Sequence, residues 1–256
     1  MSTTPSNWPE DRAEELKAVF VFCSRLPLAR ATPFADGAIG KAAWAFPVAG
    51  LAIGVIGAAV YVLARRLGLP PWPAAALSVT ATLVVTGCLH EDGLADTADG
   101  FGGGKTREQK LEIMRDSRTG AYGVCALAMS LLLRVGALAS FGDTRSVVWA
   151  LIAAHTAARA AMPVHMWLLP PARNDGLSFQ AGPPPGDSMA AAVAIAFIVL
   201  LFCLRPGRGV MASIVLIAAV ALMAWLSTRQ IEGQTGDVLG ALEQVSEILV
   251  LLVALA

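Results

Sequence analysis

Asp92, Asp96 and Asp99 stand four and then three residues apart in the stretch HEDGLADTADGFGGG, residues 90–104. On a helix turning about 100° per residue, they fall within an arc of about 60° and share one stripe. Three carboxylates on one stripe repel each other unless a cation sits among them. Oxygen donors without histidine suit a hard divalent ion, Mg²⁺ or Mn²⁺, and magnesium shares its shell with substrate phosphates. Asp92, Asp96 and Asp99 therefore read as metal ligands for a substrate carrying a diphosphate. The plainer explanation is that the acids mark the end of a membrane helix. One or two acids would fit it; three in register, beside Gly93, Ala95 and Ala98, fit it poorly. His90 and Glu91 point off the stripe. Gly100, Gly102, Gly103 and Gly104 are expected to end the helix and form a mobile loop.

Two further polar clusters could join the first. In LEIMRDSRTGAYG, Arg115, Asp116, Ser117 and Arg118 precede an apolar run beginning at Ala121. Exposed N–H groups at a helix start, with two arginines, make an anion site; membrane anchoring plus a cap is the bland alternative. In IEGQTGDVLGALEQVSE, Thr235 or Asp237 could simply cap the last helix. A second acidic site there, Asp237 with Glu243 and Glu247 on later turns, would instead complete a metal or general-base constellation. Arg159, inside an apolar run, must face a protein interior or a cavity. A buried pair with an acid and a contact to substrate phosphate both stay open for it. His155, one turn away, reads as a packing histidine, and His165 and the tryptophans as interface anchors.

The elements that position these groups are membrane helices. The chain has 256 residues, is 56% hydrophobic and 15% charged, and its mean hydropathy of +0.63 is too high for an ordinary soluble domain. Its net charge of zero implies no attraction to nucleic acid. Cys23, Cys88, Cys125 and Cys203 form no CxxC pair, which argues against a zinc site; three of them sit in apolar runs and read as buried reduced thiols. About 20 apolar residues cross a bilayer. Spans are expected at 42–64, 67–89, 121–142, 146–172, 188–204 and 209–228, with a weaker seventh at 238–256 that carries Glu243 and Glu247. Placing the N-terminus in the cytoplasm puts most of the Lys and Arg, including Lys105, Arg107, Lys110, Arg115, Arg118 and Arg30, on that side together with the acidic stripe. Ahead of the first span, residues 9–26 have apolar side chains at helical spacing. They read as an interfacial amphipathic helix, or equally as one packed on the cytoplasmic loops. Residues 172–187, ARNDGLSFQAGPPPGD, read as a Gly/Pro-rich loop without regular structure. The fold expected is an all-α polytopic membrane bundle of six or seven transmembrane helices plus the N-terminal helix, in a single domain over residues 1–256, with 1–41 cytoplasmic or interfacial and 90–120 forming the active-site region.

The same motifs resemble the cobalamin synthase family, the adenosylcobinamide-GDP ribazoletransferases. HEDGLADTADGFGGG followed by LEIMRDSRTGAYGV is similar to that family's signature region. FVFCSRLPL, AFPVAGLAIGVIGA and GQTGDVLGALEQVSE resemble its N-terminal segment, first span and C-terminal motif, in the same order along nearly the whole chain. Three departures stand out. Glu91 replaces the leucine of the usual His-Leu-Asp-Gly, Cys23-Ser24 stands where Leu-Thr is usual, and Glu232 where the first of two glycines is expected. The resemblance implies a Mg²⁺-dependent enzyme that joins α-ribazole, or its 5′-phosphate, to adenosylcobinamide-GDP with release of GMP. It implies residence in the bacterial inner membrane with the active site on the cytoplasmic face. The partners expected are the two substrates and membrane lipid, with no nucleic acid; self-association is left open. On this reading Asp92, Asp96 and Asp99 hold the metal, and Asp116 or Asp237 completes its shell or accepts the hydroxyl proton. Arg115, Ser117, Arg118, Arg159 and Thr235 contact substrate. Another membrane phospho- or prenyl-transferase, or a cation- or proton-coupled transporter, is the alternative.

Overall fold

A computed structural model describes residues 8–26 and 35–256. The Arg30 expectation, and the Pro27-Leu28 end of the N-terminal motif, lie outside them. The chain is an all-α polytopic membrane bundle, and among the described residues six helices are long and apolar enough to span: Ala43–Arg66, Ala121–Ser140, Thr144–Leu168, Gly186–Leu204, Pro206–Ile231 and Gly236–Leu255.

In chain order the helices are α1 (Trp8–Cys23), α2 (Ala38–Lys41), α3 (Phe46–Arg66, entered through a 3₁₀ turn), α4 (Pro71–Thr86), α5 (Leu89–Gly103) and α6 (Arg107–Ile113). They continue with α7 (Ala121–Ser140), α8 (Thr144–Leu168), α9 (Gly176–Ala181), α10 (Gly186–Leu204), α11 (Pro206–Ile231) and α12 (Gly236–Leu255). Helix starts follow local chemistry. Proline occupies the first turn of α3, α4 and α11, where its missing N–H costs nothing. The Asp143 side chain accepts from Ser146 N at 2.9 Å to cap α8, and Thr235 accepts from Val238 N at 3.3 Å to cap α12. The core is built around α8, whose buried face carries alanines 150, 153, 154, 157, 158, 160 and 161; small side chains let neighbouring helices approach closely.

Several expectations are corrected. The second apolar run is not one rod. α4 ends at Thr86, Gly87 and Cys88 take left-handed conformations (φ 65° and 57°), and α5 leaves at 90°. The weaker seventh span expected at the C-terminus is borne out: the last helix is long and apolar enough to span, and Glu243 and Glu247 are buried inside the bundle and do not face lipid. The segment expected to be irregular contains α9, since the sequence LSFQA between Gly176 and Gly182 holds no proline. The glycines after Asp99 form no mobile loop: Gly100 to Gly103 are the last turn of α5. A Cβ at Gly100 would meet Met114 Cγ at 2.5 Å, and one at Gly102 the Tyr122 ring at 2.8 Å, so these glycines let α6 and α7 pack against α5. α1 packs on the bundle: Val19 and Cys23 are buried with Phe46, and Glu15 accepts a hydrogen bond from Trp44 Nε1 at 2.6 Å. Burial pushes the Cys23 thiol up to about 12. All four cysteines are free, but Cys88 and Cys125 are exposed, since an apolar run in a membrane bundle faces lipid as readily as protein. His165 is fully buried, so it is no interface anchor.

Candidate functional site

The stripe forms as its spacing predicts, on one helix, but its three acids have different surroundings. Asp92 is exposed, Asp96 is half-buried and Asp99 is buried. Asp99 accepts hydrogen bonds from Gly120 N at 2.6 Å and Gly123 N at 2.9 Å, one on each oxygen. Its carboxylate thus satisfies the free N–H groups at the start of α7, where negative charge is favoured by the helix dipole. Asp96 lies in the field of three other carboxylates, Asp92, Asp237 and Asp99, and Arg173 is the cation that offsets them.

The last helix brings Asp237 to this place. Gly93 of α5 and Gly240 of α12 meet where the helices cross: a Cβ on Gly93 would lie 2.7 Å from Asp237 O and 3.2 Å from Gly240 Cα. The close crossing sets the Asp237 turn beside the stripe. Arg173 reaches it from the α8–α9 connection, with Nη2 at 3.5 Å from Asp237 Oδ2. That connection is fixed by a two-bond bridge, Ala172 N to Gln234 O at 2.8 Å and Gln234 N to Pro170 O at 2.9 Å. Arg107 of α6 also donates to Ala172 O and, at 3.1 Å, to Ile231 O. The ion pairs extend outward: Arg173 Nε lies 3.3 Å from Asp175, and Arg115 grips Asp175 with contacts of 2.8 and 2.6 Å. Asp92, Asp237 and Arg173 stand on the wall of a cavity of about 250 Å³ that runs inward between α5, α8, α9 and α12.

Other expected residues are placed differently. Asp116 is bound to Arg118, Nη2 to Oδ2 at 2.6 Å, on an exposed turn, and that guanidinium holds its carboxyl down at about 2. Ser117 is exposed on the same turn. Thr235 is buried and caps α12. Arg159 faces the bundle interior, where Nη1 lies 2.7 Å from Glu243 Oε1 and 3.1 Å from His155 Nδ1. Of the alternatives open for it, the buried acid pair is the one formed. Glu243 and Glu247 point inward, and Asp237 alone of that cluster faces the stripe. His155, Glu243 and Glu247 have ligand atoms within 4.8 Å of one another, but the cation among them is the Arg159 guanidinium. Glu91 is engaged too: Arg134 of α7 reaches it at 3.1 Å and Glu247 at 3.5 Å. Sequence reasoning missed Arg173 as a site residue. Its one local signal is a lone arginine behind Pro170-Pro171, and its partner Asp237 lies 64 residues away.

Comparison with known proteins identifies the family. The cobalamin-5-phosphate synthase family profile matches residues 15–255. An adenosylcobinamide-GDP ribazoletransferase of Bradyrhizobium diazoefficiens is 55% identical over 242 residues, covering 94% of this chain and 93% of the relative. Proteins of the same name from Mesorhizobium japonicum and Azorhizobium caulinodans are 50% and 46% identical, covering 96% and 91% of this chain and 94% and 92% of their own lengths. No solved structure matches. The chain belongs to the cobalamin-5-phosphate synthase family, whose members are transferases of cobalamin synthesis.

Proposed function

We propose that this member of the cobalamin-5-phosphate synthase family is an adenosylcobinamide-GDP ribazoletransferase, acting on the cytoplasmic face of the bacterial inner membrane. It joins α-ribazole or its 5′-phosphate to adenosylcobinamide-GDP and releases GMP. A secondary ribose hydroxyl, free in both α-ribazole and its 5′-phosphate, forms a bond through its oxygen to the phosphorus next to cobinamide. The bond from that phosphorus to the GMP oxygen breaks, and the hydroxyl proton leaves to a base. The observation that carries this reading is the meeting of Asp92 and Asp237 across one cavity, with Asp96 one turn away and Arg173 as the opposing cation.

Three carboxylates against one guanidinium leave a surplus of negative charge, all on oxygen donors. That donor set fits Mg²⁺. Asp92, Asp96 and Asp237 are the residues that would hold it; Asp99, with both oxygens already bonded to α7, supports the site from behind. When bound, the ion neutralises charge on the diphosphate as GMP departs. Arg173 and Arg115, both free to turn from carboxylate to phosphate, orient the diphosphate at the cavity mouth. Asp237 serves better than Asp116 as proton acceptor, because a carboxyl held at about 2 by Arg118 is a weak base at neutral pH.

The test is to incubate protein purified in detergent with Mg²⁺, adenosylcobinamide-GDP and α-ribazole, and to measure joined product and GMP. Wild type is expected to form both in equal amounts, and Asp96→Asn to lose about a hundred-fold or more in rate with an unchanged melting curve. No product from wild type sinks the transferase reading; full activity in Asp96→Asn sinks the role of the carboxylates.

A further inference from the structure

We propose that the apolar chamber behind Asp92 and Asp237 receives the benzimidazole base of α-ribazole; this rests on the transferase reading above and assigns one substrate to one part of the site. Besides α5 and α12, the chamber's walls come from five further helices. Phe22 of α1 and Phe46 of α3 stand with ring centroids 6.1 Å apart and planes tilted by 59°. Met162 and Met166 project from successive turns of α8, and Ile39 of α2 and Ala181 of α9 close the side. Two phenylalanines and two methionines make a surface suited to a flat aromatic guest, through ring contacts and polarisable sulfur.

Size and polarity choose the guest among the parts of the two substrates. At about 250 Å³ the chamber is smaller than the roughly 300–1,000 Å³ typical of sites for drug-sized ligands. It has room for two fused rings, whereas a corrin with its peripheral amides is several times larger and stays outside. Guanine would also fit by size, but its amide edge and amino group need several hydrogen-bond partners when buried. The polar side chains Asp92, Arg173 and Asp237 stand at the mouth, and the inner wall adds only His90 and Ser178. Ser178 is already bonded to Gln234 at 2.7 Å. A dimethylbenzimidazole has an apolar edge and a single unsubstituted ring nitrogen. His90, 1% exposed and bordering the chamber, makes no hydrogen bond on either ring nitrogen, its Nδ1 lying 3.8 Å from Glu243 Oε2; a neutral imidazole carries one N–H, enough for that one acceptor. With the base inside, the ribose points to the mouth, and its secondary hydroxyls lie on the side of Asp92, Asp237 and Arg173, where the second substrate's phosphorus arrives.

The experiment measures α-ribazole binding by equilibrium dialysis without the corrinoid, and KM for each substrate separately. Met166→Ala, which widens the chamber, is expected to weaken α-ribazole binding and raise its KM by about ten-fold, leaving kcat and the KM for adenosylcobinamide-GDP unchanged. Ile39→Trp, which fills the chamber from a four-residue helix at its edge, is expected to abolish binding while the melting curve stays in place. Guanosine at the same concentration is expected not to displace α-ribazole. Displacement by guanosine, a shift in the corrinoid KM instead, or unchanged α-ribazole affinity in Met166→Ala overturns the assignment. Dialysis needs no turnover, so a wild-type protein that binds α-ribazole but forms no product would count against the transferase reading alone.

Discussion

Asp99 differs from Asp92 and Asp96 in what its oxygens already hold, and the difference separates stability from activity. Removing the carboxylate in Asp99→Ala leaves the N–H groups of Gly120 and Gly123 without their partner. The expected loss is about 1–3 kcal/mol, read by unfolding in mixed micelles; Asp96→Asn should lose activity and no stability. An Asp99→Ala protein as stable as wild type would show that the two bonds contribute nothing. Glu232 is a second case where the backbone explains a residue. It ends α11 at φ 59°, the left-handed region that favours glycine, and it replaces the glycine expected there from the family resemblance. Its ion pair with Arg107, 3.5 Å long with a mostly exposed carboxylate, contributes little. Glu232→Gly should therefore stabilise the protein by about 1 kcal/mol, seen as a higher melting temperature. At this scale the spacing of Asp92, Asp96 and Asp99 revealed the stripe. It could not reveal that Asp99 closes on backbone more than twenty positions away, because helix periodicity describes a face and says nothing of what packs on it.

From sequence, residues 67–89 read as one continuous span with the acids at its end, and the break at Gly87-Cys88 shows why that reading fails. Hydropathy runs unbroken from α4 toward Leu89, and hydropathy carries no information about backbone direction. The turn matters for function, since it lays α5 across the start of α12 and brings Gly93 onto Gly240. Gly93→Ala would place a methyl carbon 2.7 Å from Asp237 O, a contact with backbone that no side-chain rotation relieves. α5 and α12 must then separate, at a cost of about 1–3 kcal/mol. Asp92 and Asp237 move apart with their helices, so turnover is expected to fall by at least about ten-fold even where the protein still folds. Paired measurements of melting and of GMP release check this. A variant that loses stability but keeps full turnover would mean that the Asp92–Asp237 approach does not depend on this crossing. By contrast, the existence of α7, α8, α10 and α11 followed directly from long apolar runs, the strongest signal that this kind of sequence carries.

Across the whole bundle, charges inside the apolar interior join the helices that bear the site to those that do not. Arg134 of α7 and Arg159 of α8, each 1% exposed, face Glu91 of α5 and Glu243 and Glu247 of α12. A transporter would also need acids on facing spans, but here Glu91, Glu243 and Glu247 each have an arginine within ion-pair distance. The family resemblance flagged Glu91 as a departure, and Arg134 explains how the bundle accommodates it. Taking one partner from a buried pair is far more harmful than removing both, because the remaining charge has lost water and its counterion together. Arg134→Met should thus destabilise the protein by about 3–5 kcal/mol, and should lower turnover as well, since Glu91 adjoins Asp92 in the first turn of α5. Adding Glu91→Gln to Arg134→Met should restore part of both losses, with Glu247 still unbalanced beside His155 at 3.3 Å. A double-mutant cycle on unfolding in mixed micelles measures the coupling. If the two substitutions are additive, Arg134 and Glu91 act independently, and the interior charges do not hold α5 in place.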